Sequence, residues 1–381
     1  MADAVRLFVT AGEPSGDRIG ADLVRRLRAH REVAVSGVGG ADLEGEGLRS
    51  LFPMSDLSVM GISDVLRRLP LLLWRIRQTA DAVLSQNPDI VVLIDSQVFS
   101  EHVARRLRKA GYKGRIVLYV APSVWAWKPE RAPALKPLYD EVLAVLPFEP
   151  GVMKKLDGPL TSYVGHPALQ QTMLRPAQPR SGPLLLLPGS RAGELRRHLP
   201  LMRAVAMALR RHERVTGFVL PTPRHLEAMV VEEVVAWKVP VFVTSEAEAK
   251  RRAFADSVAA AAVSGTVTLE LALAGVPMAI TYVGDRAQIA RWRRHRPRFI
   301  GLPNILFGNQ LAAEFVGPIP QADAFIAELE ELLDRPERIE QQRAGFARIR
   351  AGMEKGAPEA PLVDPVDRIQ AWLPQREASA T

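Results

Sequence analysis

The sequence has no cysteine at any of its 381 positions. Disulfide staples, cysteine nucleophiles and thiolate metal sites are therefore excluded, and the chain suits a reducing compartment. No Asp-x-Asp pair occurs, which argues against a magnesium-dependent sugar transferase. No second histidine or carboxylate stands at metal-ligand spacing around His166, so no metal site and no cofactor are expected. Helix-turn-helix, zinc-finger, RNP and KH signatures are missing, so nucleic acid is not an expected partner. The opening MADAVRLFVTAGEPSGD breaks into Gly, Glu, Pro and Asp before a leader core could form, so no secretory signal is expected. The longest apolar stretch, Ser257 to Val283, holds Glu270, Gly275 and Pro277. A carboxylate in mid-span is costly in lipid, so this stretch reads as strand, loop, helix, strand.

What is present is an arginine-rich chain of formal net charge +8. That balance suits an anionic partner, whether phosphorylated substrate or acidic lipid, although any single arginine is as well explained by a GC-rich genome. Short β-rich runs alternate with amphipathic segments of helical length, the pattern of parallel sheets covered by helices. In the first half, strands are expected at Val5–Thr10, Val33–Gly37, Ile90–Asp95, Arg115–Val120, Glu141–Leu146 and Ser162–Val164. Helices are expected at Asp17–Ala29, Pro70–Ser85 and Ser100–Ala110. A polar, Pro-rich stretch from Arg175 to Pro183 reads as a linker. The alternation then restarts at Leu184–Leu187, with further strands at Phe218–Leu220, Val241–Val243, Val258–Val263 and Met278–Tyr282. The expected fold is α/β, with two doubly wound Rossmann-like domains facing a central cleft. The expected divisions are 1–172, 181–350 and a tail 351–381 docking back on the first domain or on a partner.

Six strand ends carry the candidate chemistry. Leu187-Pro188-Gly189-Ser190-Arg191 leads into a helix and offers one anion backbone N–H groups, a hydroxyl and a guanidinium. An ordinary tight turn with an exposed arginine explains it equally well. Ser264-Gly265-Thr266 repeats the device, and Glu270, one turn on, could accept ribose hydroxyls; simple capping by Thr266 is the competing reading. Glu13 follows the first strand, where Asp17 reads as an N-cap. Asp95 follows five apolar residues, at a strand end where burial would fit it as a general base; capping of the following helix, for which Ser96 and Ser100 could also serve, is the competing reading. Pro122–Lys128 carries Ser123 and sets Trp125 and Trp127 beside Lys128, which suits a sugar face or acyl chain, or else core packing. His166 either bridges to a ligand or satisfies a carbonyl.

Two stretches read as membrane-directed. Met60–Gln78 mixes Leu72, Trp74 and Arg75 in an interfacial profile, although an ordinary amphipathic helix would look similar. Arg291–Arg298, with Trp292 and Arg293, is the densest basic run, suited to an anionic lipid surface or simply to water.

Beyond spacing, AGEPSGD, GVGG, MGISDVL, APSVWAWK, LPFE, VGHP, LLPGSRAGEL, SGTVTLELAL and LPNI occur in one order from Leu7 to about Glu314. In this the chain resembles the lipid-A-disaccharide synthases. The resemblance implies a glycosyltransferase-B fold and an inverting, metal-independent transferase, peripheral on the cytoplasmic face of the inner membrane. Its substrates would be UDP-2,3-diacylglucosamine and 2,3-diacylglucosamine 1-phosphate, and its products the β-1′,6 disaccharide and UDP. It implies Asp95 as base and Glu13 on the acceptor side, with Ser190, Arg191, Thr266, Glu270 and Asn304 on the UDP side. It leaves room for a homodimer. The family's Ile-Asp-x-Pro-Asp-Phe is here Ile94-Asp95-Ser96-Gln97-Val98-Phe99, and its Pro-Glu-Leu-Leu-Gln is Ala313-Glu314-Phe315-Val316-Gly317. These departures keep two alternatives open: a transferase with another lipid acceptor, or a non-catalytic UDP-sugar or lipid-binding homologue.

Overall fold

A computed structural model describes residues 4–57, 61–295 and 297–373, with residues 61–67 described by backbone only. Two compact units are drawn from the described residues: Met1–Pro167 with Lys355–Thr381, and Ala168–Glu354. Each is built on a six-stranded sheet.

In the first unit the strands are β1 (Val5–Ala11), β2 (Val33–Val38), β3 (Ile90–Ile94), β4 (Arg115–Tyr119), β5 (Glu141–Ala144) and β6 (Thr161–Tyr163). They run parallel in the order β2-β1-β3-β4-β5-β6. Ile90 to Ile94 are fully buried, because helices cover both faces of a doubly wound sheet and leave no polar side to alternate with. Pro14–Arg28 is the first of these helices. Pro14 presets its opening turn, Leu23, Val24 and Leu27 are buried, and Arg25, Arg26 and Arg28 complement the negative end. The helix expected from Pro70 begins earlier, at Gly61, and runs to Gln86 with Pro70 inside it. Proline removes one backbone bond but does not end a helix this long.

The second unit repeats the plan with β7 (Gly182–Leu187), β8 (Val215–Pro221), β9 (Val241–Thr244), β10 (Ala259–Val263), β11 (Met278–Val283) and β12 (Glu314–Gly317). Their order is β12-β11-β10-β7-β8-β9, again parallel. The segment expected as a linker is anchored within this unit. Arg175 is buried; its N–H donates to Ala274 O at 3.2 Å and its Nη1 to Ser257 O at 2.6 Å. Composition suggested a linker, but a buried arginine donating to two carbonyls fixes the chain instead.

The last described helix, Pro365–Ala371, packs on the first unit through one buried carboxylate. Glu141 at the start of β5 has no exposed surface. It accepts from Arg368 Nε at 2.8 Å and Nη2 at 3.0 Å, from Trp372 Nε1 at 2.5 Å and from Ser162 Oγ at 2.5 Å. Asp364 caps the same helix by accepting from Val366 N–H at 2.8 Å, and it pairs with Arg26. A buried carboxylate stripped of its partner is costly. Arg368→Ala is therefore expected to lower the stability of the first unit by roughly 3 kcal/mol, read as a urea midpoint shift. An unchanged midpoint would show that Trp372 and Ser162 suffice.

Candidate functional site

Both sheets reverse their winding at their first strand. In the first unit the chain passes from β1 outward to β2 and returns on the other side with β3. In the second it passes from β7 to β8 and β9, then returns with β10. Loops leaving the carboxyl ends of the two strands at such a reversal part in opposite directions and open a crevice. Four of the six sequence-selected strand ends, at Glu13, Asp95, Gly189–Arg191 and Ser264–Thr266, lie at these reversals, while Pro122–Lys128 and His166 follow β4 and β6.

In the first unit, β1 ends at Ala11 and β3 at Ile94, and the loops that follow touch. A Cβ placed on Gly12 would stand 2.0 Å from Ser96 Oγ, so only glycine allows this approach. Glu13 is exposed at the N-cap position of Pro14–Arg28, with no capping bond from its side chain. Asp95 is half-buried and left-handed at φ 51°, followed by Ser96 at φ 41°. Asp95 N–H donates to Tyr119 O at 2.9 Å, and its own carbonyl accepts from Ser100 Oγ at 2.8 Å. The helix Gln97–Lys109 follows without an acidic residue in its first turn, and Val98 is 67% exposed there. Asp17 departs from expectation. It lies within its helix and caps another, accepting from Gly40 N–H at 2.8 Å, Asp42 N–H at 2.9 Å and Leu43 N–H at 3.3 Å.

Four of the seven described non-glycine residues with positive φ lie at this one edge: Asp95, Ser96, Val120 and Lys128. Val120, at φ 77°, is β-branched and costly to hold there. Such strain tends to gather where loops are shaped for ligands. Ser123 is exposed, and its carbonyl accepts from Ala126 N–H. Trp125 is half-buried, edge-on to Phe148 at 5.1 Å, and its Nε1 donates to Glu149 at 3.2 Å. Glu149 also accepts Leu146 N–H at 3.0 Å. Burial pushes its carboxyl up to about 7, against the pull of these donors. Glu149 anchors the tryptophan loop, a role visible only once the fold brings the two together. His166 is half-buried beyond β6, after Gly165 at φ 83°.

In the second unit, Gly189 turns at φ 109° after β7, and Arg191 is the N-cap of Ala192–Leu209 without a side-chain cap. Ser190 and Arg191 are exposed. His198 fastens this helix to β11. Its Nδ1–H donates to Glu194 O at 2.8 Å, while Nε2 accepts Val283 N–H at 2.8 Å. Burial lowers its pKa and keeps it neutral for that pairing. After β10, Ser264 Oγ donates to Ile300 O at 2.7 Å. Gly265, not Thr266, is the N-cap of Thr266–Ala274, and it has no side chain to spend on the helix start. Thr266 is exposed. Glu270 is half-buried and accepts from Lys250 Nζ at 2.5 Å, a partner nothing in the spacing announced.

Asn304 is a correction. It is fully buried, with Nδ2 donating to Ala312 O and Glu314 Oε1, both at 2.7 Å. Its Oδ1 accepts Leu311 N–H at 2.7 Å and Ala312 N–H at 3.0 Å. All four of its bonding directions are filled, so it holds its loop and has nothing left for a nucleotide. Arg75 is a second correction: it lies between the Phe52 and Trp74 rings and pairs with Asp56 at 2.7 Å. This cation ties down its own helix. Leu72 is half-buried against the core, while Leu69, Leu73 and Trp74 are exposed. Met60 lies outside the described residues. Trp292 is half-buried, Arg293 is exposed, and Arg296 lies outside the described residues. Among the described residues, no group of three His, Cys, Asp or Glu side chains is placed to hold a metal ion.

Residues 7–361 match the lipid-A-disaccharide synthetase family. A lipid-A-disaccharide synthase of Rhodopseudomonas palustris is 44% identical over 360 residues, covering 91% of each chain. One from Rhodospirillum centenum is 38% identical, covering 92% of this chain and 90% of its own. Among solved structures, the kitacinnamycin glycosyltransferase superposes with TM-score 0.60 at 15% identity, covering 98% of this chain and 100% of its own. A UDP-GlcNAc 2-epimerase from Neisseria meningitidis superposes with TM-score 0.55 at 12% identity, covering 91% and 97%. These structures share the fold: two α/β units, each on a parallel sheet.

Glu149 provides a test of the tryptophan loop. Its folded-state pKa is raised, so between about 4.5 and about 7 the folded protein holds a proton that the unfolded chain has released. Its contribution to stability therefore falls as pH rises through that window. Glu149→Gln removes the proton linkage but keeps an acceptor for Trp125. The melting-temperature difference between variant and parent should move in the variant's favour from pH 5 to pH 7. A constant difference would place the proton elsewhere.

Proposed function

The chain belongs to the lipid-A-disaccharide synthetase family, and on that premise we propose how its residues carry out the transfer. The enzyme is a hexosyltransferase that moves 2,3-diacylglucosamine from UDP-2,3-diacylglucosamine to 2,3-diacylglucosamine 1-phosphate. The products are the β-1′,6 disaccharide 1-phosphate and UDP. The placement of Glu13, Asp95, Gly189–Arg191 and Ser264–Thr266 at the two winding reversals is the observation that supports this assignment of roles.

Asp95 acts as general base on the acceptor 6-hydroxyl. As its proton passes to the carboxylate, the oxygen attacks donor C1 from the face opposite UDP. The C1–O bond to the diphosphate breaks, its electron pair leaves with UDP, and C1 inverts. Glu13 stands with Asp95 at the reversal of the first unit and serves the acceptor side. The leaving diphosphate gathers charge, which Arg191 and the uncapped helix starts at Ala192 and Thr266 offset with fixed donors, without a metal. Glu270 takes the ribose hydroxyls. Ser123, Trp125 and His166 line the sugar side.

No helix among the described residues is long and apolar enough to cross a membrane. Attachment is peripheral, on the cytoplasmic face of the inner membrane, through the exposed Leu69, Leu73 and Trp74 with Trp292 and Arg293.

In detergent with both lipid substrates, UDP release should depend on acceptor and persist in EDTA. Asp95→Asn should slow turnover by ~100-fold or more while UDP affinity stays at the parent value. Undiminished turnover would remove Asp95 from the chemistry, and acceptor-independent release would argue against disaccharide synthesis.

A further inference from the structure

The loop assigned to the donor diphosphate already holds an anion that belongs to the chain. Glu194, in the first turn of Ala192–Leu209, folds back over the turn that precedes the helix. Its Oε2 accepts Ser190 N–H at 3.1 Å, and its Oε1 accepts Arg191 Nη1 at 3.1 Å. A Cβ on Gly189 would stand 2.7 Å from Oε2, so the carboxylate lies directly against the glycine that shapes the turn. The side chain of Glu194 is only 14% exposed, against 59% for Arg191. The backbone of Glu194 is fixed separately, since its carbonyl accepts from His198. The side chain can thus swing on its χ angles without moving the helix.

A carboxylate and a phosphate ask for the same donors: planar guanidinium N–H groups and backbone N–H groups at a helix start. Two oxygens of Glu194 use a backbone N–H and a guanidinium N–H that two phosphate oxygens would use. An incoming anion must first displace this one, and must then bear its charge nearby. A small free anion brings only the contacts it would take over from Glu194. A nucleotide brings its nucleoside as well, and its esterified diphosphate carries fewer ionisable oxygens than free pyrophosphate, so the Glu194 carboxylate repels it less.

We propose that Glu194 is a specificity-determining residue for the donor, an internal competitor that bars free phosphate and pyrophosphate while admitting the nucleotide-linked diphosphate. This rests on the reading that Gly189–Arg191 takes the diphosphate, and the test separates the two. Gln at 194 keeps an oxygen for Ser190 N–H, and so the helix start, but lacks the charge. Calorimetric titration of the full chain with UDP, and with UDP in the presence of pyrophosphate, compares parent, Glu194→Gln and Arg191→Ala. With melting temperature unchanged, Glu194→Gln should bind pyrophosphate ~10-fold tighter and UDP by a smaller factor, so that discrimination between them narrows. If Glu194→Gln binds both ligands as the parent does, the residue is only a cap. If it binds both more weakly, the carboxylate is a positioning group for Arg191, and the proposal is overturned in either case. If Arg191→Ala leaves UDP affinity untouched, it is the assignment of the loop that fails, whatever Glu194→Gln does.

Discussion

Backbone pairing within sheets covered on both faces is the constraint from which most of this molecule follows. Ile90 to Ile94 and Ala259 to Ala262 are wholly buried, so their peptide groups must be satisfied by neighbouring strands. No polar side chain projects from either run. Polar side chains therefore collect where the strands end, and at a winding reversal two ends release their loops apart. Asp95, Glu13, Arg191 and Thr266 stand where they do for this reason. The cost falls on the backbone, in the left-handed turns at Asp95 and Ser96 and in the bare Cα of Gly12 against Ser96.

The net charge of +8 suggests a basic surface seeking anions, yet many arginines are already committed. Arg75 is matched by Asp56, Arg108 by Asp140, Arg338 by Glu328 and Arg368 by Glu141. The charges near the helix starts after β7 and β10 are balanced within the chain too, Arg191 by Glu194 and Glu270 by Lys250. Composition measures the excess but not its distribution.

The strand plan was legible because buried parallel strands are written as continuous apolar runs, and most expected boundaries lie within three residues of those observed. β12 escaped because Glu314–Gly317 is a short edge strand without such a run. Asp95 could be found from the five apolar residues before it, and the helix starts from their glycines. Side-chain partners could not. Asp17 was read as the cap of its own helix but serves Gly40, Asp42 and Leu43, more than twenty residues on. Asn304 sits in a string shared with the family, yet its amide is consumed by its own loop. Local pattern records what a residue can do within a few positions, while its distant partner is chosen by packing.

The clamp on Glu141 bears on the order in which the protein can be made. Arg368 and Trp372 lie 227 and 231 residues after Glu141, yet they complete a unit whose six-stranded sheet ends at Tyr163. The second unit, Ala168–Glu354, is continuous and can close as soon as it leaves the ribosome. The first must wait, with Glu141 lacking those partners, until residues 368 and 372 have emerged. During that interval a carboxylate destined for burial is still open to water, and of the two units the one begun first is the last to be sealed.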